Sequence, residues 1–170
     1  MLQIYCGNGK GKTTAAVGLA VRAAGAGLRV AFIQFLKDGS SSEIDMLRSI
    51  GNITVRCCEE CRTFVSKLSE TEVSAVTAKH NANLRFAYDT ISSGSADVVI
   101  LDEFIGAFNK KLLDAELAMR IISMKEKREI VLTGRAPDEK LLEAADYISK
   151  IEPVRHPFTK GISARKGIEY

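Results

Sequence analysis

Residues 7–16 read GNGKGKTTAA, directly after the apolar run Gln3 to Cys6 and directly before a segment of small helix-forming residues. This order of strand, glycine-rich loop and helix decides the reading of the chain. Gly7, Gly9 and Gly11 let the backbone curl so that successive N–H groups point inward at an anion, and the helix beyond adds the positive end of its dipole at the same point. Asn8 and Lys10 fill the loop, Lys12 supplies a mobile cation, and Thr13, followed by Thr14, offers a hydroxyl where Mg²⁺ would stand between protein and phosphate. The usual phosphate-loop pattern, G-x-x-x-x-G-K-[ST], would require glycine at position 6. That residue is Cys6, so the loop is one residue short. A dinucleotide fingerprint fails, because G-x-G-x-x-G would need glycine where Lys12 stands and the second strand ends in Gln34 and Phe35 rather than an acid. The plain alternative is a glycine-rich turn that merely joins a strand to a helix.

Outward from the loop, short β-branched runs alternate with segments of helical period. Strands are expected at about Gln3 to Cys6, Arg29 to Phe35, Ile53 to Cys57, Val98 to Asp102 and Glu129 to Thr133, with a weaker one near Tyr147 to Ile151. Uniformly apolar runs such as VVIL at 98–101 predict strands buried on both faces, as in parallel sheets covered by helices. The pattern predicts one α/β domain over residues 1–170, a three-layer P-loop NTPase-like (RecA-like) architecture with a mainly parallel sheet. Ser69 with Glu72 three residues on predicts a capped helix that runs to about Ile91 and ends at Ser92, Ser93 and Gly94. Pro137, Asp138 and Glu139 open another helix. Residues 37–42, KDGSSS, form the most loop-like segment.

Composition agrees. At 170 residues and 46% hydrophobic content, the chain can bury a sizeable core without disulfides. No apolar run reaches the length of a membrane span, since Arg22 and Arg29 interrupt the most apolar region. The first motif starts at Gly7, which leaves no room for a leader, so a cytoplasmic protein with reduced thiols is expected. Net charge is +3, and residues 150–170 hold five Lys/Arg against two Asp/Glu. That C-terminal tail therefore accounts for the whole excess, which predicts a local anion-facing element and no nucleic-acid coat.

The run VVILDE ends in Asp102 and Glu103, where nucleotide-binding parallel sheets place Mg²⁺ ligands; one of them is expected to hold the metal, directly or through water. A polar strand end without function is the bland reading. The next strand ends in LTGR, so Thr133 and Arg135 fall on the same rim, where an Arg can pair with phosphate oxygens or form a surface ion pair.

Taken with Arg22, QF at 34–35 and the closing HPFTKGISARKGIEY at 156–170, these motifs resemble the ATP:corrinoid adenosyltransferases, whose own loop is the short variant. The resemblance implies that Co(I) of a reduced corrinoid attacks the 5′ carbon of ATP and that the whole triphosphate leaves, in adenosylcobalamin biosynthesis or salvage. Such an enzyme needs no nucleophilic side chain; its work is positioning and charge stabilisation. By the same resemblance Asn8 to Thr14 hold the triphosphate, lying reversed along the loop, Lys12 neutralises it, Thr13 and Glu103 bind Mg²⁺, and Arg22 contacts the nucleoside end. A reductase that supplies reduced cobalt and a homodimeric assembly are expected partners. Family members carry a Gly-Phe-Thr-Trp stretch beside the corrinoid. Here RTFVS at 62–66 puts Phe64 at the first aromatic and Ser66 at the Trp position, and the sequence opens at the first strand, where longer members are expected to carry an extension before it.

Cys57, Cys58 and Cys61 form a CCEEC cluster that could nucleate a zinc site with a fourth ligand such as His80; reduced, partly buried thiols are the simpler expectation. His156 in the tail could help fold it over ATP. Two other functions fit a phosphate loop: a kinase or ATPase acting at the γ-phosphate, and a non-catalytic ATP-binding regulator.

Overall fold

All six expected strands form, with ends that move by at most one residue. In a computed structural model, which describes residues 1–58 and 69–168, they are β1 (Leu2–Cys6), β2 (Val30–Gln34), β3 (Ile53–Arg56), β4 (Val98–Asp102), β5 (Glu129–Thr133) and β6 (Tyr147–Lys150). They make one sheet in the order β3-β2-β4-β5-β1-β6, and every pairing is parallel.

Alternation along β4 shows why both faces must be covered. Val99 and Leu101 join a core with Leu84, Ile91, Phe104 and Ile121, whereas Val98 and Ile100 join the opposite core with Ala16, Ala20, Ile44 and Leu47. Helices α1 (Lys12–Gly25) and α2 (Glu43–Arg48) lie on one side; α3 (Glu70–Ser93), α4 (Phe104–Asn109), α5 (Ala115–Ser123) and α6 (Glu139–Ala144) supply the other. The result is the three-layer arrangement that the VVIL pattern predicts. Alanines at 16, 20 and 23 form the buried stripe of α1, which brings its axis close to the sheet and its first turn over the end of β1.

Helix boundaries follow local chemistry. Ser69 Oγ accepts from the Glu72 amide while the Glu72 carboxylate accepts from the Ser69 amide, and Gly94 closes α3 in the left-handed region at φ 70°. Asp138, one residue past the proline, is the true cap of α6, accepting from the Leu141 amide at 3.0 Å. None of the described helices is long and apolar enough to cross a membrane. One expectation fails: Cys58 is disulfide-bonded. Cys6 is a free thiol, Cys57 is half-buried, and Cys61 lies outside the described residues. Cys58 is 2% exposed just after β3.

Candidate active site

The C-terminal ends of β1, β2, β4 and β5 open onto one cavity of about 980 Å³. The loop after β1 forms its floor. Gly7 has φ 102° and is pressed against the end of β6; a Cβ there would collide with the Ile151 carbonyl oxygen, which itself accepts from the Gly9 amide at 2.8 Å. Only glycine lets the loop lie this flat. Gly11 stands at the N-cap of α1 with φ 121°, no side chain caps that end, and the first turn holds no acid. Helix-start amides have no intrahelical acceptor, so those of Lys12, Thr13 and Thr14 face the cavity as donors for an anion.

Lys12 is 8% exposed and its Nζ donates to the Gly9 carbonyl at 2.9 Å. Burial lowers its pKa, an effect that nearby Glu103 opposes. A triphosphate would give this ammonium a much stronger partner than one carbonyl.

Asp102 is fully buried and works as a hub. Its Oδ1 accepts from Thr13 Oγ1 at 2.9 Å and Thr133 Oγ1 at 2.7 Å; its Oδ2 accepts from Gln34 Nε2 at 3.0 Å and faces Lys37 Nζ at 3.4 Å. Those contacts use the lone pairs that a carboxylate offers and compensate for burying its charge. Asp102 therefore orients Thr13, whose hydroxyl proton is donated away and whose oxygen faces Lys37 Nζ at 3.5 Å. Glu103 differs. It adopts φ 57°, with its amide donating to Thr133 Oγ1 at 2.9 Å, and its carboxylate lines the cavity with no hydrogen bond or ion pair among the described residues. Burial first, and the Asp102 charge second, raise its pKa. A hydroxyl and an unengaged carboxylate are hard oxygen donors, a set that suits Mg²⁺ better than a softer metal.

Leu36, Glu103 and Ala136 all have positive φ, and each follows the end of a strand on this rim. Such strain in non-glycine residues costs about 1–3 kcal/mol each and persists where the surroundings over-determine it. Across the cavity stand Arg135, Lys37, Asp38, the serines 40–42 and Glu43, with His156, Ala164, Gly167 and Ile168 of the tail at its edge. A second pocket of about 410 Å³ lies between Lys10 and the tail, lined by Arg155, His156 and Arg165 among others.

The family model for the ATP:corrinoid adenosyltransferase BtuR/CobO/CobP matches residues 1–170. The chain belongs to that family. The corrinoid adenosyltransferase of Escherichia coli strain K12 is 32% identical over 170 residues, covering 98% of this chain and 84% of that protein. Its counterpart in Pseudomonas aeruginosa is 29% identical over 173 residues, covering 100% of this chain and 83% of that one. For Salmonella typhimurium CobA the figures are 31% over 169 residues, 98% and 84%. A KaiC-like protein from Pyrococcus horikoshii OT3 superposes with a TM-score of 0.53 at 17% identity, over 89% of this chain and 71% of that one, which is a likeness of fold.

Of the residues expected in an adenosyltransferase site, Asn8 to Thr14, Glu103 and Arg135 line the cavity; Gly7 and Asp102 support it from beneath. Arg22 does not reach it. It is exposed in the last turn of α1, ten residues from Lys12 and so about 15 Å along the axis. Phe64, Ser66 and Cys61 lie outside the described residues. No cluster of three metal-ligating side chains occurs among the described residues, and His80 is buried against the Phe35 ring, 5.7 Å between centroids, which makes it a core residue. Gln34, seen in sequence only as part of QF, and Lys37, seen only as loop, are the site residues that motif reading passes over. One signal could have found Lys37: it is the first basic residue beyond the end of β2, as Arg135 is beyond β5.

Proposed function

We propose that this protein transfers the 5′-deoxyadenosyl group of ATP to the Co(I) of a reduced corrinoid and releases triphosphate. The observation that carries the reading is the family match over the whole chain, which meets a phosphate cradle at the C-terminal ends of the strands. The α1 amides and Lys12 hold the triphosphate, and Arg135 adds charge from the β5 rim. Thr13 and Glu103 hold Mg²⁺, with Asp102 fixing the Thr13 rotamer; the ion, when bound, neutralises charge on the leaving triphosphate. Water exclusion falls to the 35–42 loop and the tail, whose His156 borders the cavity. The catalytic work is then orientation of the 5′ carbon and stabilisation of the leaving group. Phe64 is assigned to the corrinoid side by family resemblance, and Arg22 to the nucleoside end on the same basis, although its distance from the cradle gives it no support. A reductase that feeds electrons to cobalt, a homodimer and a cytoplasmic setting complete the proposal; the Cys58 disulfide is the observation that runs against the last.

Mass analysis of the corrinoid after incubation with ATP, Mg²⁺ and a chemical reductant tests the reading. The expected product is heavier by one adenosyl group. An unchanged corrinoid with ATP turnover would point to a γ-phosphate enzyme, and ATP binding without turnover to a regulator.

A further inference from the structure

Lys37 has no place in the reading above, yet its ammonium stands among the oxygens on which that reading depends. Nζ lies 3.5 Å from Thr13 Oγ1 and 3.4 Å from Asp102 Oδ2. Both separations exceed the usual 2.7–3.2 Å of a protein hydrogen bond. Asp102 already has the Thr13, Thr133 and Gln34 donors at 2.7–3.0 Å. Lys37 thus brings charge to this carboxylate rather than completing its hydrogen bonds. Its side chain is 32% exposed, borders the cavity, and follows Leu36 at φ 56° on a loop rather than a packed helix. Four flexible carbons leave such an ammonium free to turn toward a new anion.

Mg²⁺ bound to an oxygen keeps a distance of about 2.0–2.1 Å. An ion at that distance from the Thr13 hydroxyl and an ammonium 3.5 Å from the same atom are like charges sharing one small volume. We infer that Lys37 and the divalent cation compete for the Thr13–Asp102 oxygens, so that the lysine has to move onto the triphosphate for the metal to dock. The inference rests on the assignment of Thr13 and Glu103 as metal donors. Lys12 cannot take the same role, because its Nζ is directed at the Gly9 carbonyl. The exchange couples two binding events: the triphosphate gives Lys37 a partner and thereby clears the position that the metal needs. Metal affinity is then low without nucleotide and rises with it, and linkage makes nucleotide affinity rise with metal by the same factor.

The test uses Mn²⁺ as the probe, read by electron paramagnetic resonance, on the full chain with and without ATP. Lys37→Met and Lys37→Gln remove the competitor, and Lys37→Arg keeps its charge. The two neutral variants are expected to bind Mn²⁺ about tenfold more tightly than the parent in the absence of nucleotide. They also lose about the same factor of Mn²⁺–ATP coupling, while Lys37→Arg stays within about twofold of the parent on both counts. Thermal melts of all variants should match the parent, since the side chain is partly exposed and Asp102 keeps three donors. Unchanged or weaker Mn²⁺ binding by both neutral variants, with the parent still binding Mn²⁺ in the presence of ATP, overturns the role of Lys37 and leaves the metal assignment standing. No Mn²⁺ binding by the parent even with ATP overturns both.

Discussion

Helices α1 and α3 begin in opposite ways. At α3, Ser69 and Glu72 satisfy each other's amides, and Asp114 and Asp138 do the equivalent work for α5 and α6. At α1 the N-cap is Gly11, no side chain caps it, and the first turn carries Lys12 where an acid would favour the dipole. A capped end stabilises the helix it belongs to; an uncapped one leaves its donors for something else. The difference separates the residues that hold this molecule together from those that give it an activity, and substitutions at the two ends should affect different observables.

The largest effect belongs to the open end. Lys12→Ala should weaken ATP binding by about 2–5 kcal/mol, as expected for loss of one partner in a desolvated charge pair, with little change in melting temperature. Calorimetry giving equal ATP affinity in variant and parent would mean that the α1 start is an ordinary helix end.

The capped helix carries a liability of a different kind. His80, fully buried on α3, has its pKa lowered by desolvation from 6.5 to about 4. As pH drops below 6.5 the unfolded chain takes up this proton before the folded one does. Stability therefore falls as pH goes from 6.5 to about 4, by at most about 3 kcal/mol, and this contribution is absent again in the slope below 4. Urea denaturation of the parent and of His80→Leu at pH 7 and pH 4.5 should show a smaller pH difference in the variant. Equal differences would place the acid sensitivity elsewhere.

Smallest is the cap itself. Ser69→Ala should cost about 1 kcal/mol of stability and leave ATP affinity unchanged. Loss of nucleotide affinity on that substitution would break the separation between the two helix ends.

How much of this was readable in the chain follows the same division. Strands β1 to β6, the Ser69 box and the loop at 7–16 rest on local patterns, so periodicity and spacing found them. Gln34 and Lys37 act through an aspartate some 65 residues away, and only the parallel register that sets Gln34 beside Asp102 brings them together. The positive φ of Leu36, Glu103 and Ala136 is likewise imposed by packing at the rim, in residues that do not favour it. Arg22 is a different case. Resemblance assigned it to the nucleoside end, a position apart from the cradle, and helical rise sets it about 15 Å from Lys12. The Cys58 disulfide escaped for a third reason, since composition speaks to compartment and not to the state of one thiol.

Phosphorus NMR of the complete reaction, with ATP, Mg²⁺ and a reduced corrinoid, asks the central question most directly: which bond of ATP breaks. Transfer from the 5′ carbon predicts intact inorganic triphosphate, appearing one for one with adenosylated corrinoid and depending on Lys12. Resonances of ADP and phosphate, with no triphosphate, would contradict the account.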